Sequence, residues 1–285
     1  MSHPQPHLFC FGLGYCGMVL ARSLRAQGWE VSGTVRDETQ VASVREEGIN
    51  AIIFEDSLIL PSGTTHILST VPPDEHGDPV CNLLQSCEGI TWMGYLSTTG
   101  VYGDTGGEVV DETDPVNPTT ERGRRRVDAE QQWMALNMDL SLPVHIFRLP
   151  GIYGPGRNAF EHYRENRLRH IGKPGHLFNR IHVDDIAQVL QASMEQPNPG
   201  SFYNVCDDLP AEPADITTYA CELMGVEPPP LVAFDVAAKT ISPMVLSFWH
   251  DNRRVSNARI KSELGINLKY PDYREGLKAI WEAMP

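Results

Sequence analysis

The 285-residue chain is short of cysteine, of positive charge and of long apolar runs. Six cysteines are too few at this length for a disulfide framework, and none falls in a CxxC pair. The spacings Cys10/Cys16 and Cys81/Cys87 have no matching His/Cys set, which argues against a metal site and for the reduced thiols of a cytoplasmic protein. Lys and Arg number 23 against 37 Asp and Glu, a net charge of −14. That balance argues against an extended nucleic-acid surface but allows a local basic pocket. No apolar run approaches the about 20 residues needed to cross a bilayer. Met1 to His7 sets no basic region ahead of an apolar stretch, so no signal peptide is read. There is no internal repeat and no low-complexity tract. A small-molecule substrate is therefore expected, without nucleic-acid or membrane partners.

Apolar segments recur along the whole chain, as a folded core requires. A chain of this length buries about three quarters of its extended surface, enough for one globular unit or a large domain with a small one. Strands are expected at Leu8–Leu13, Trp29–Val35, Ile49–Phe54, His66–Val71, Ile90–Thr98, Val144–Leu149 and Ser201–Val205. Helices alternate with them. Gly14–Gln27 has an apolar face of Met18, Leu20, Ala21 and Leu24 and stops at Gly28. A second helix is capped by Asp37 and stops at Gly48. A long helix includes Val127–Leu136, and another runs from Asp184 to about Glu195, with Asp184 and Asp185 spaced to cap its start. Alternation of this kind means crossover connections and an α/β fold with a mostly parallel sheet covered on both faces. After residue 150 the chain is richer in loops, and Pro228 to Trp249 shows no clear pattern.

Gly12-Leu13-Gly14-Tyr15-Cys16-Gly17 is a GxGxxG between the first strand and the first helix. The first glycine allows a tight turn, the second lets main chain approach a pyrophosphate, and the third lets helix and sheet pack closely. The helix start then faces phosphate oxygens. About 20 residues on, where an acid would bind the ribose hydroxyls of NAD, stand Thr34, Val35 and Arg36. Arg36 is suited to the 2'-phosphate of NADP, with Thr34 donating a further hydrogen bond. The alternatives are that Arg36 is a solvated surface residue, and that Asp37 is the ribose acid rather than a helix cap.

Four further segments carry a resemblance: Ser97-Thr98-Thr99-Gly100-Val101-Tyr102-Gly103-Asp104, Arg148-Leu149-Pro150-Gly151-Ile152-Tyr153-Gly154-Pro155-Gly156-Arg157, Arg180-Ile181-His182-Val183-Asp184-Asp185-Ile186-Ala187 and Tyr203-Asn204-Val205-Cys206-Asp207-Asp208. With the glycine fingerprint they resemble the extended short-chain dehydrogenases/reductases, the NAD-dependent epimerases and dehydratases. The resemblance implies a Rossmann-type parallel sheet flanked by helices, with a smaller C-terminal substrate-binding domain. It implies a cofactor domain at 1–160 completed by 176–205, and a substrate lobe at 161–175 and 206–285. The cofactor site it implies takes in Gly12, Leu13, Gly14, Tyr15, Cys16, Gly17, Thr34, Arg36, Thr70, Val71, Pro72, Arg126, Pro150 and Tyr153. Relatives pair through two helices of the Rossmann domain, so the chain is read as a monomer or homodimer.

The family's catalytic set is Ser or Thr with a Tyr-xxx-Lys. Thr98 matches the hydroxyl residue. Arg122 stands where the tyrosine belongs and Arg126 where the lysine belongs, and no tyrosine lies between Tyr102 and Tyr153. A tyrosine transfers a proton once a cation lowers its pKa, whereas an arginine stays protonated. Arg126 is expected to supply charge and donors to the nicotinamide ribose. Arg122, on the same helix face, is expected to bind a carboxylate or phosphate as a fork. Tyr102 is the first substitute acid and base to consider, against a packing role. Tyr153 and His182 are further candidates. The chain thus reads as an atypical, NADP(H)-favouring, oxidoreductase-like protein, an epimerase/dehydratase or reductase acting on a small anionic or sugar-like metabolite. Two other readings stand beside it: an NADPH-dependent sensor without turnover, and a structural or interaction protein on a Rossmann scaffold.

Overall fold

The computed structural model describes residues 5–55, 58–84 and 87–284; Met1–Pro4, in the segment read for a signal peptide, lie outside them. The chain divides into two compact units: Met1–Thr98 with Arg124–Arg148 and Ile186–Tyr203, and Thr99–Gly123 with Leu149–Asp185 and Asn204–Pro285.

The first unit is built on the strands β1 (His7–Phe11), β2 (Glu30–Val35), β3 (Asn50–Ile53), β4 (His66–Ser69), β5 (Trp92–Thr98), β6 (Val144–Leu149) and β7 (Phe202–Asn204). They form one parallel sheet in the order β3-β2-β1-β4-β5-β6-β7. The helices are α1 (Tyr15–Ala26), α2 (Glu38–Glu46), α3 (Glu121–Leu140) and α4 (Val183–Glu195). Every strand and helix expected here is present, displaced by a few residues at its ends. The order reverses between β1 and β4, and at such a switch point the strands' carboxyl ends leave a crevice.

Both faces of the sheet are buried, which explains strands that read as apolar without alternation. One face presents Phe9, Phe11, Ile67, Met93, Tyr95, Val144 and Ile146 to Trp133 and Leu136 of α3. Tyr95 and Trp133 stack at 5.4 Å. The other face carries a row of rings. Trp29 meets His66 at 4.7 Å, Trp92 meets His145 at 5.8 Å, and Phe147 meets Tyr203 at 5.7 Å. The indole N–H of Trp92 donates to Ser193 Oγ of α4 at 3.0 Å, the polar bond that a buried indole needs.

The second unit is loop-rich. Gly151–Tyr153 pairs in parallel with Arg180–His182, in register Gly151↔Arg180 and Tyr153↔His182. One core gathers Tyr153, Phe160, Ala220, Tyr273, Leu277 and Ile280. The patternless segment Pro228–Trp249 folds around Trp249, whose ring meets His176 at 5.7 Å, Phe178 at 5.2 Å and Phe234 at 5.1 Å. Its short helices, Phe234–Ala237 and Pro243–Ser247, have four and five residues, too few to display a helical period.

The start of α4 departs from the expected pair of acidic caps. The Asp184 N–H donates to the ring Nδ1 of His182 at 3.1 Å. Asp185 is buried and accepts instead from the backbone N–H groups of Lys269 at 2.6 Å and Tyr270 at 3.1 Å. Two main-chain amides from a distant loop claim that carboxylate, and no local spacing announces them. Among the described residues no helix is long and apolar enough to cross a membrane, and no group of three His, Cys, Asp or Glu could hold a metal ion.

Candidate functional site

The glycine turn lies between β1 and α1. Gly12 has φ +86°, a conformation that glycine adopts without steric cost. Its N–H donates to Thr34 Oγ1 at 2.9 Å, and its carbonyl accepts from Gly14 N at 2.7 Å and from Thr70 Oγ1 at 2.6 Å. Leu13 N donates to Thr34 O at 2.7 Å.

The three glycines are required for three different reasons. A Cβ on Gly12 would stand 2.6 Å from Thr70 Oγ1. A Cβ on Gly17 would stand 2.8 Å from the Gly12 carbonyl oxygen and 2.9 Å from Cys10 Sγ, so this glycine seats α1 on the sheet. A Cβ on Gly14 would meet nothing within 4 Å. Gly14 is exposed and holds the N-cap position of α1, where no side chain caps the helix. Tyr15 and Cys16, both half-buried, follow in the first turn of α1. Open space beside an uncapped helix start suits a phosphate, which would accept from the helix's first N–H groups.

Thr70, Val71 and Pro72 follow β4, and Val71 Cγ2 lies 3.4 Å from the place of a Gly12 Cβ. Thr34, read from the sequence as a phosphate donor, is buried, and its hydroxyl oxygen accepts the Gly12 N–H. Arg36 is exposed at the end of β2. Asp37 caps α2, its Oδ1 accepting from Thr39 Oγ1 at 2.6 Å and Gln40 N at 2.9 Å. Those two bonds hold its carboxyl below the usual carboxylate range.

Thr98, half-buried, is the last residue of β5. Beneath it a charged network runs through the first unit. Ser97 Oγ donates to Glu130 Oε1 at 2.5 Å, and Arg148 forks onto the same carboxylate, Nε to Oε1 at 3.1 Å and Nη2 to Oε2 at 2.8 Å. All three residues are buried. Glu130 went unremarked in the sequence, although it stands four residues after Arg126 on α3. Arg126 is buried as well. Its Nη1 donates to Leu96 O at 2.6 Å and to Tyr95 Oη at 3.1 Å, and these are its bonds among the described residues.

Arg122 lies in the first turn of α3 and is exposed, with its guanidinium 5.5 Å from the centre of the Phe248 ring. The shared helix face therefore does not give the two arginines a shared environment. Gly123 lets this first turn approach the chain: a Cβ there would lie 2.8 Å from Pro118 Cβ and 3.1 Å from Gly100 O. Along the same helix Arg124 is exposed and Arg125 half-buried. Phe248, half exposed in the patternless segment, is a partner that the sequence concealed.

The candidate substitute acids and bases of the second unit are occupied. The Tyr102 hydroxyl is buried and donates to Asn204 Oδ1 at 2.9 Å. Tyr153 donates to Asp272 O at 3.3 Å, and burial pushes its phenol up. Gly276 makes that seat available, since a Cβ there would lie 2.1 Å from Tyr153 Oη. Pro150 is half-buried two residues after Arg148. His182 packs edge-on to Tyr153 at 5.2 Å, and burial lowers its ring to about 4. Nearby Asp207 is buried, and desolvation raises its carboxyl to about 8 against the pull of Arg180.

Known proteins agree with this architecture. The family model described as NAD dependent epimerase/dehydratase matches residues 74–206. The Escherichia coli (strain K12) protein YeeZ is 31% identical over 284 residues, covering 92% of this chain and 95% of that protein. A solved conserved protein of unknown function from Silicibacter pomeroyi is 49% identical, with a TM-score of 0.90 over 98% of this chain and 99% of that one. The human epimerase family protein SDR39U1, solved with NADPH, shares the fold at 17% identity and a TM-score of 0.80, covering 98% of this chain and 100% of that one. With its seven-stranded Rossmann-type sheet and glycine turn, the chain belongs to the NAD dependent epimerase/dehydratase family of extended short-chain dehydrogenases/reductases.

Proposed function

We propose that the chain binds NADP(H) in preference to NAD(H) at the Gly12–Gly17 turn and is an oxidoreductase acting on a small anionic or sugar-like metabolite. The observation that carries this reading is the open flank of Gly14 at the uncapped start of α1, beside the switch point of the sheet. The selectivity rests on Arg36 and Asp37. The arginine is exposed at the end of β2, while the acid that would repel a 2'-phosphate is committed to capping α2. The NADPH held by the human protein of the same fold agrees with it. In this reading residues 1–160 and 176–205 form the cofactor domain, and 161–175 with 206–285 form the substrate lobe.

A bound nicotinamide supplies hydride transfer to or from a carbon carrying oxygen. Thr98 orients that oxygen through its hydroxyl. Arg126, fixed on β5 through Nη1, presents a permanent positive charge and its remaining N–H groups to the ribose. Arg122 over Phe248 offers a fork for a carboxylate or phosphate. Neither arginine exchanges a proton near neutral pH, so the substrate's proton is left to another group or to water.

Calorimetric titration of the wild type and Arg36→Ala with NADPH and NADH tests the cofactor reading. Loss of a charge-assisted bond to phosphate weakens NADPH about tenfold or more while NADH changes little. Equal losses, or a wild type that prefers NADH, would reassign selection to Asp37 or another polar group. A second reading, an NADPH sensor without turnover, is favoured by the buried and bonded hydroxyls of Tyr102 and Tyr153. Following the nicotinamide absorbance with nucleotide sugars and small carbonyl compounds separates the two: sustained turnover sinks the sensor.

A further inference from the structure

We infer that Thr70, acting with Thr34, is a positioning residue for the cofactor turn: the two hydroxyls grip Gly12 from opposite sides and hold the turn in its binding shape before any ligand arrives. The inference rests on the proposal that the turn binds a dinucleotide.

Gly12 has no side chain to anchor it and sits at φ +86°. Its main-chain groups are nevertheless satisfied from outside the turn. Thr34 Oγ1 accepts its N–H at 2.9 Å, and Thr70 Oγ1 donates to its carbonyl at 2.6 Å. The two threonines come from the strands on either side of β1. Thr34 is held in β2, whose register against β1 pairs Gly33 with Cys10. Thr70 follows β4 directly, and its own N–H donates to Phe11 O at 2.9 Å, continuing the ladder that pairs Ser69 with Phe11. The sheet therefore fixes where each hydroxyl stands. The hydroxyls have opposite roles, one accepting and one donating, so neither duplicates the other.

The turn's own amides support this division of labour. Gly12 N and Leu13 N both point at Thr34, and Gly14 N closes on Gly12 O. These three bonds shape the turn rather than meet a ligand, which leaves phosphate recognition to the start of α1. A turn already held by its neighbours spends little binding free energy on ordering, and preorganisation raises affinity. Valine copies the shape of threonine but cannot donate to a carbonyl.

The test measures NADPH and NADH affinities of wild type, Thr70→Val, Thr70→Ser and Thr34→Val by calorimetry, with the folded fraction checked by melting. Thr70→Val is expected to weaken both cofactors about tenfold, one hydrogen bond's worth. The NADPH/NADH ratio should stay unchanged, because the turn serves the diphosphate that both share. Thr70→Ser should restore wild-type affinity. Thr34→Val should copy Thr70→Val, and it carries the test alone if Thr70→Val melts too low to titrate. Wild-type affinity in both valine variants would overturn the grip while leaving the cofactor reading intact. Equal weakness in Thr70→Ser and Thr70→Val would also overturn it. A wild type that binds neither dinucleotide would overturn the cofactor reading and the grip with it.

Discussion

The turn at Gly12–Gly17 and the helix start at Thr120–Arg126 differ in what depends on them. The turn is main chain. Its first glycine bonds to two strands, its third seats a helix, and its second is left open. A change at Gly12 or Gly17 would move the fold with it. At the helix start the distinguishing features are single side chains. Arg122 is exposed, with its guanidinium over Phe248, while the buried Gly123 brings the turn close to Pro118 and Gly100. A substitution at the exposed position 122 is therefore expected to cost less stability than one at Gly12 or Gly17.

The sharpest way to break this comparison is to look for the missing proton transfer. General acid–base assistance is typically worth 10²- to 10⁴-fold in rate. Turnover of unmodified nucleotide sugars is expected to be absent or slower than in Tyr-containing relatives by about that factor. Fast wild-type turnover in a coupled absorbance assay would sink the expectation and return Tyr102 or Tyr153 to the chemistry.

Next in size is the contrast between buried and exposed charge. Glu130→Ala leaves Arg148 buried without its fork and removes the partner of Ser97. A loss of about 3–5 kcal/mol is expected in urea unfolding. Arg122→Ala, on the exposed first turn of the same helix, should change stability by about 0.5 kcal/mol or less. Comparable losses would show that the helix start is as structural as the network under Thr98.

Gly14→Val and Gly17→Val sharpen the comparison within the turn. Valine at 14 has room in the folded protein, so melting should stay near wild type while NADPH affinity falls about 100-fold, or roughly 2.7 kcal/mol. Valine at 17 drives into the Gly12 carbonyl and should lower the melting temperature by itself. Unchanged NADPH affinity in Gly14→Val would remove the turn from the binding site.

The smallest expected effect is on pH dependence, and its sign differs between the units. Burial lowers His66, in the first unit, to about 4. Between pH 6.5 and 4 the unfolded chain binds a proton that the folded one refuses, so this residue makes stability fall as pH falls. His176 and His182, in the second unit and also near 4, act in the same direction. Asp185, raised to about 6, and Asp207, raised to about 8, oppose them, because their folded carboxyls take up protons before the unfolded ones. His66→Gln should therefore flatten the fall in melting temperature from pH 6.5 to 4, and Asp207→Asn should steepen it. Melting curves in which both variants shift the slope the same way would contradict this account.

Much of this was legible from the residues alone, and where legibility ended has a physical cause. Apolar periodicity, the Gly12–Gly17 spacing, the Asp37 cap and the arginines at 122 and 126 are local properties. A strand buried on both faces must be apolar throughout, a left-handed turn needs glycine, and a missing phenol is missing in any fold. The sequence by itself therefore determined the α/β class, the glycine turn between the first strand and the first helix, and the family resemblance. Only the tertiary structure decided which hydroxyls reach Gly12, that Arg126 is buried on β5 while Arg122 is exposed, that Glu130 joins Ser97 to Arg148, and that Asp185 serves Lys269 and Tyr270 rather than its own helix. These depend on groups brought together across separate strands and distant loops, and a hydrogen bond of about 3 Å has no signature in sequence spacing.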